Sequence, residues 1–124
     1  MSYALVFLGG GIGAALRHVT NGLVARAIGT GFPYATVIEN VVGSLVMGLL
    51  AGYFAFKGDA SQPLRLFLTT GVLGGFTTFS AFSLDAVLLY ERGAWGAAAV
   101  YVFGSVVLSI LALLAGLLLV RGAS

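Results

Sequence analysis

The chain has 124 residues, of which 60% are hydrophobic and 8% are charged, and its formal net charge is +2 at pH 7. Soluble domains carry about 25% charged residues, so this composition excludes an ordinary water-facing surface and indicates an integral membrane protein. The small net charge excludes the strongly basic character that is typical of nucleic-acid-binding domains. The sequence contains no cysteine, so it gives no indication of the redox compartment.

Four apolar segments are long enough to cross a membrane, for which a helix needs about 20 mostly apolar residues. They cover approximately residues 3–27, 34–56, 63–91 and 94–120 and are joined by short polar or glycine-containing connections. Nothing remains for a soluble domain. The sequence therefore predicts an all-α membrane protein with a single four-helix transmembrane domain over residues 1–124.

The third segment differs from the others because it contains Gly74-Gly75 followed by two threonines. As a continuous helix, residues 63–91 would be about 43 Å long at 1.5 Å per residue, whereas the hydrocarbon core is about 30 Å thick. Each glycine costs about 1 kcal/mol relative to alanine in a helix. A membrane helix accepts a break only where the freed backbone groups face protein, water or an ion. We therefore predict that the third helix is broken near residues 74–78, and that this break is the functional centre.

Small residues recur at four-residue spacing in two of the segments. Gly9 and Gly13 show this spacing in the first, as do Ser44, Gly48 and Gly52 in the second. Such spacing allows helix backbones to approach closely in lipid. Residues 9–14 also match a glycine pattern of dinucleotide-binding proteins, but no alternation of strands and helices follows. We interpret these glycines as packing surfaces.

The basic residues give no clear orientation in the membrane, which is usually set by an excess of Lys and Arg in the cytoplasmic loops. Lys57, Arg65 and Arg121 would lie on one side, and Arg26 and Arg92 on the other. This near balance leaves two interpretations open. The chain either inserts in both orientations and pairs with an inverted copy, or has one weakly determined orientation.

Two stripes of neutral polar residues run along the second and fourth segments, at the four-residue spacing that places side chains on one face of a helix. The stripes contain Thr36, Asn40 and Ser44 in the second segment and Tyr101, Ser105 and Ser109 in the fourth. Each stripe alone is compatible with ordinary interhelical hydrogen bonding. Together with the predicted break, they favour the walls of a narrow polar track. Its hydroxyl and amide donors, and the electropositive edges of Phe79 and Phe82, favour a small anion.

Three motifs then identify a family. The segments GGGIGAALR (9–17), ATVIENVVGS (35–44) and TGVLGGFTTFSAFS (70–83) resemble those of the Fluc (CrcB) fluoride channel family, and the resemblance covers essentially the whole chain. It implies a dual-topology antiparallel homodimer with two fluoride pores and a structural sodium ion at the dimer centre. The implied function is passive export of fluoride across the cell (inner) membrane by a multi-pass protein. This activity lowers the cytoplasmic fluoride concentration and is not enzymatic.

The resemblance also implies roles for particular residues. The backbone carbonyls of Gly74 and Thr77 would hold the sodium ion, and Arg17 would lie near a vestibule. The fluoride pore would be lined by Phe79, Phe82, Asn40, Thr36, Tyr101, Ser105 and Ser109. The implied partners are fluoride, the lipid bilayer and a second copy of the chain, with no nucleic acid.

Glu39 departs from the family pattern, in which the residue before the asparagine is usually apolar. A carboxylate within a membrane is a functional candidate, but an anion channel would not place a bare one on its pathway. We therefore expect Glu39 to lie off the pore with a partner; pairing with Arg17, protonation through burial and a wet vestibule remain open. Asp85 is expected near the membrane interface, where it would cap or orient the lower third helix.

Two other functions remain to be weighed. The first is a proton-coupled transporter of the small multidrug type, which would use Glu39 as its essential carboxylate. The second is an assembly subunit that transports nothing and has no need of paired polar stripes.

Overall fold

The computed structural model describes residues 2–57 and 62–123, and every regular element in these ranges is helical. In chain order the elements are α1 (Ser2–Ala27), α2 (Tyr34–Lys57), α3 (Gln62–Arg65), a π-helix (Leu66–Leu73), α4 (Gly74–Phe76), α5 (Phe79–Glu91) and α6 (Trp95–Ala123). The prediction of an all-α chain is confirmed. The π-helix was not predicted, because a local widening of the helical turn leaves no distinct pattern of apolar residues.

Three helical stretches among the described residues are long and apolar enough to cross a membrane. They are Tyr34–Ala55, Gln62–Glu91 and Trp95–Gly122, which correspond to the second, third and fourth predicted segments. Helix α1 is also long, at 26 residues, but Arg17 and Asn21 lower its mean hydropathy. The chain is therefore a membrane protein by these three stretches, and a span formed by α1 stays a prediction.

Glycines allow the helices to pack closely, as their spacing predicts. Helix α1 lies against the π-helix, where a Cβ on Gly9 would be 2.6 Å from the carbonyl oxygen of Phe67 and one on Gly13 would overlap a π-helix carbonyl. Helix α2 lies along α6, where a Cβ on Gly48 would overlap the carbonyl oxygen of Leu113. Two helix pairs, α1 with the π-helix and α2 with α6, therefore approach backbone to backbone.

The helical path from Gln62 to Glu91 is interrupted at two threonines. Thr77 (φ −83°, ψ 156°) and Thr78 (φ −152°, ψ 122°) are extended, and α5 starts immediately after them. Gly74 itself is helical, with φ −61° and ψ −37°. Gly75 lies so close to α1 that a Cβ would overlap the carbonyl oxygen of Gly10. Gly75 therefore serves packing, and within the predicted range 74–78 the extended residues are the two threonines and not the glycines.

The interior contains few fully buried apolar side chains. Phe82 (9% exposed), Leu89 (3%) and Tyr101 (1%) form one cluster between α5 and α6. Many large apolar side chains instead point outward, among them Phe103 (70% exposed) and Ile110 (64%) on α6. Such an apolar exterior suits contact with lipid or with another protein chain.

Candidate functional site

Asn40 joins α2 to the interruption. Its Oδ1 accepts a hydrogen bond from the backbone N–H of Thr78 at 2.8 Å, and its Nδ2 donates to the carbonyl oxygen of Thr78 at 3.1 Å. Both backbone groups of a residue that has left the helix are thereby satisfied, as groups at membrane depth must be. Sequence reasoning placed Asn40 on a polar track but missed this contact, because the two residues are 38 positions apart.

The interruption also frees two backbone carbonyls. In a continuous helix the Gly74 carbonyl would accept from Thr78 N, and by the same rule the Thr77 carbonyl would accept from Ala81 N. Thr78 N instead donates to Asn40 Oδ1 at 2.8 Å. Ala81 N donates to Thr78 Oγ1 at 3.1 Å, which caps α5. The two carbonyls that the resemblance singled out are therefore released from helical hydrogen bonding.

A cavity of about 390 Å³, hereafter the main cavity, lies beside the interruption between α2, α5 and α6. Its hydrogen-bonding side chains are Asn40, Ser44, Thr77, Thr78, Ser105 and Ser109. Ser105 is 4% exposed, and its Oγ has no hydrogen-bond partner among the described residues. The main cavity thus brings together parts of both predicted stripes, and its lining within residues 2–57 and 62–123 contains no charged side chain.

The two phenylalanines of the third motif both line the main cavity but differ in burial. Phe79 is 77% exposed and Phe82 only 9%. Their ring centroids are 5.5 Å apart at an interplanar angle of 42°. Phe82 also packs on Tyr101, with centroids 5.2 Å apart and an angle of 34°. Phe82 is therefore fixed in the interior of the chain, whereas Phe79 projects from its surface.

Asp85 forms hydrogen bonds with the remaining members of the two stripes, Thr36 and Tyr101. Its Oδ2 accepts hydrogen bonds from Thr36 Oγ1 at 2.8 Å and from the Tyr101 hydroxyl at 3.1 Å. Thr36 is 7% exposed and Tyr101 1%, and neither lines the main cavity. Sequence reasoning treated Asp85 as an interfacial or capping residue and missed this shared acceptor. Its position three residues after Phe82, on the same helix face, was the available signal.

A second cavity of about 290 Å³, hereafter the loop cavity, lies at the connection between α1 and α2. Thr36 and Asp85 both line it, together with residues of α1 and of the connecting loop. Thr36 and Asn40 are one helical turn apart on α2, yet they line different cavities. The two cavities therefore lie on either side of this turn.

Arg17 and Glu39 lie in the interior near the interruption. Arg17 is half-buried, and its Nε donates to the carbonyl oxygen of Gly75 at 3.2 Å. Glu39 is 1% exposed, lines neither cavity, and its Oε2 has no hydrogen-bond partner among the described residues. Such burial leaves no place for Glu39 in a wet vestibule. Glu39 lies off both cavities as expected, but the partner expected for this oxygen is not found in the described parts of the chain.

The sequence matches known proteins over nearly its whole length. The family model described as "CrcB-like protein, Camphor Resistance (CrcB)" matches residues 4–117. A protein of Rhodopseudomonas palustris named "Fluoride-specific ion channel FluC" is 68% identical over 121 residues, which cover 98% of both chains. "Fluoride-specific ion channel FluC 2" of Nitrobacter hamburgensis is 64% identical over 121 residues, again 98% of both chains. The resemblance inferred from the three motifs is confirmed, and this chain belongs to the CrcB family.

Proposed function

We propose that this chain forms a fluoride-selective channel that lets the ion leave the cell passively. The observation that carries the proposal is the main cavity, whose polar lining consists of hydroxyl and amide groups without a charged side chain among the described residues. Neutral donors can replace the water around a small anion without trapping it. The buried Ser105 Oγ, which has no protein partner among them, is a donor that an ion in the cavity could use.

The proposed assembly is an antiparallel homodimer in the inner membrane, with α1 as a fourth span of each subunit. Phe79 is 77% exposed beside the main cavity, so a second copy would cover a large apolar side chain and close the open side of the cavity. The near balance of basic residues between the two sides is compatible with inverted copies. Two-fold symmetry would then create two equivalent pores.

A structural sodium ion is proposed at the dimer axis. The fit rests on the carbonyls of Gly74 and Thr77, which have lost their helical donors at the interruption. Hard cations prefer oxygen ligands, and Gly74 lies at the exposed surface of the chain, where a second copy would bring an equivalent pair. When bound, the cation would offset the dipoles of backbone carbonyls that have lost their helical donors.

The driving force is electrical and chemical, without covalent chemistry. An interior-negative membrane potential favours the exit of an anion by about 2.3 kcal/mol per charge for each 100 mV. The main cavity needs only to lower the cost of removing water from the ion. The alternative of a proton-coupled transporter requires a carboxyl group that lines the substrate-binding cavity, whereas Glu39 lines neither cavity.

Anion efflux from liposomes tests the proposal. Purified protein is reconstituted in liposomes loaded with potassium fluoride or potassium chloride, and valinomycin is added to set the potential. Ion-selective electrodes should record rapid fluoride release and little chloride release. Absence of fluoride release, or equal release of both ions, would refute the proposal, and uptake of a cationic dye driven by a proton gradient would favour the transporter.

A further inference from the structure

Glu39 is a buried acidic side chain to which the proposed channel function gives no task. It is 1% exposed, and its Oε2 has no hydrogen-bond partner among the described residues. An ionised carboxylate is expensive to bury unless it is paired and hydrogen-bonded. The cost of burying the charge is larger within a membrane, because the lipid around the helices supplies no water.

Glu39 lies on α2 between residues that line the two cavities. It follows Thr36, which lines the loop cavity, and immediately precedes Asn40, which lines the main cavity. Thr36 and Asn40 are separated along the axis of α2 by only about 6 Å, at 1.5 Å per residue. Glu39 therefore lies on α2 at the level between the residues that line the two cavities, and a route that joined the cavities would pass this level.

The charged and titratable groups that act on Glu39 come from three helices. Arg17 of α1 and Asp85 of α5 interact with it electrostatically, as does the Tyr101 hydroxyl of α6. Arg17 directs its Nε to the carbonyl oxygen of Gly75 at 3.2 Å. Asp85 already accepts hydrogen bonds from Thr36 and Tyr101. The available cation is thus partly engaged, and a second carboxylate lies in the same interior.

We propose that Glu39 is a proton-binding site at this level of α2, neutral while fluoride passes and inhibitory once its proton is released to water. This inference rests on the proposed channel function. The protonated carboxyl carries no charge and offers an O–H donor. After the proton leaves, a negative charge remains within the membrane and beside Asp85, where it repels an anion strongly because the local dielectric constant is low.

The pH dependence of fluoride efflux tests this proposal. Efflux is measured with the same pH on both sides of the liposome membrane, from about pH 6 to about pH 9, where exposed carboxyl groups stay ionised. Wild-type efflux should fall roughly tenfold across this range, since a nearby charge raises the barrier for an anion. Glu39→Gln should keep the fast rate throughout. Glu91→Gln, which changes an exposed carboxylate of α5, should follow the wild type.

Two results would overturn the proposal: wild-type efflux that does not change with pH, or a pH profile that Glu39→Gln leaves unaltered. Infrared absorption supplies a readout that does not depend on conduction, because the C=O band of a protonated carboxyl is separate from the bands of a carboxylate. The band should be present in the wild type near neutral pH, absent in Glu39→Gln and retained in Glu91→Gln. A band lost only in Asp85→Asn would assign the proton to Asp85 and refute the role of Glu39.

The two measurements separate the proposals. If the wild type releases no fluoride at any pH, the channel function fails, and the infrared band still decides whether Glu39 holds a proton. If fluoride is released but no protonated carboxyl is detected, the channel function stands and the inference fails. If Glu39→Gln does not fold, the wild-type band is followed with pH, and it should decline together with the efflux.

Discussion

Removal of the Asn40 side chain should weaken the connection between α2 and the interruption at Thr77 and Thr78. Asn40→Ala deletes two hydrogen bonds, of 2.8 Å and 3.1 Å, and leaves the N–H and the carbonyl of Thr78 without these partners. Side-chain hydrogen bonds between membrane helices average about 0.6 kcal/mol and reach about 1.7 kcal/mol. An unsatisfied buried group costs about 1–3 kcal/mol. Water from the main cavity can reach this site, so we expect a total loss of about 1–3 kcal/mol.

Unfolding in mixed micelles of increasing denaturing detergent measures this loss, with the fluorescence of Trp95, the only tryptophan, as the probe. Asn21→Ala is the matched control, since Asn21 is exposed on α1, and its midpoint should equal that of the wild type. If Asn40→Ala also unfolds at the wild-type midpoint, other contacts hold the interruption and the reasoning is wrong.

Close packing and burial predict the effects of substitutions at Gly13, Ser105 and Phe82. Gly13→Ala should abolish stable folding, because its Cβ would overlap a π-helix carbonyl. Gly96→Ala is the control, since the space around its Cβ is open. Size-exclusion chromatography should show a normal yield of folded protein for Gly96→Ala and a loss for Gly13→Ala. Ser105→Ala should leave the unfolding midpoint unchanged or raise it, since the Oγ has no partner among the described residues. The same substitution should slow fluoride efflux. Unchanged efflux would show that Ser105 does not line the pore. Phe82→Ala should destabilise the subunit by about 3–5 kcal/mol. Phe79→Ala should reduce the free energy of unfolding of a monomer in detergent far less, because Phe79 is 77% exposed. Equal losses for the two variants would contradict the assigned burial.

The sequence predicted those features that depend on neighbouring residues. Apolar runs located the long helices, and four-residue spacing selected Gly9, Gly13 and Gly48 as packing positions, which the structure confirms. The position of the interruption was only approximate. Glycine propensity pointed to Gly74-Gly75, but both residues are helical, and Gly75 lies tightly against α1.

The features that the sequence missed depend on distant residues. Asp85 accepts hydrogen bonds from Thr36 and Tyr101, which are 49 and 16 positions away. Neither pairing leaves a periodic signal, because it arises only when three helices pack together. The same holds for Glu39: the sequence shows an unusual carboxyl group, but its degree of burial is a property of the packed structure.

The π-helix has a consequence for insertions and deletions in this chain. A π-turn holds about one residue more than an α-turn, so residues 66–73 accommodate an additional residue without lengthening the helix in proportion. Loss of one residue in this range would restore an α-helix and rotate the preceding and following parts of the helix relative to each other by about 100°. If the lost residue were Val72 or Leu73, Gly71 and Gly75 could not both remain against α1, where a Cβ on Gly71 would already be 3.0 Å from the Cα of Gly9. The exact number of residues between Arg65 and Gly74 therefore determines whether the interruption faces α2, and the length of this segment is constrained as strictly as its composition.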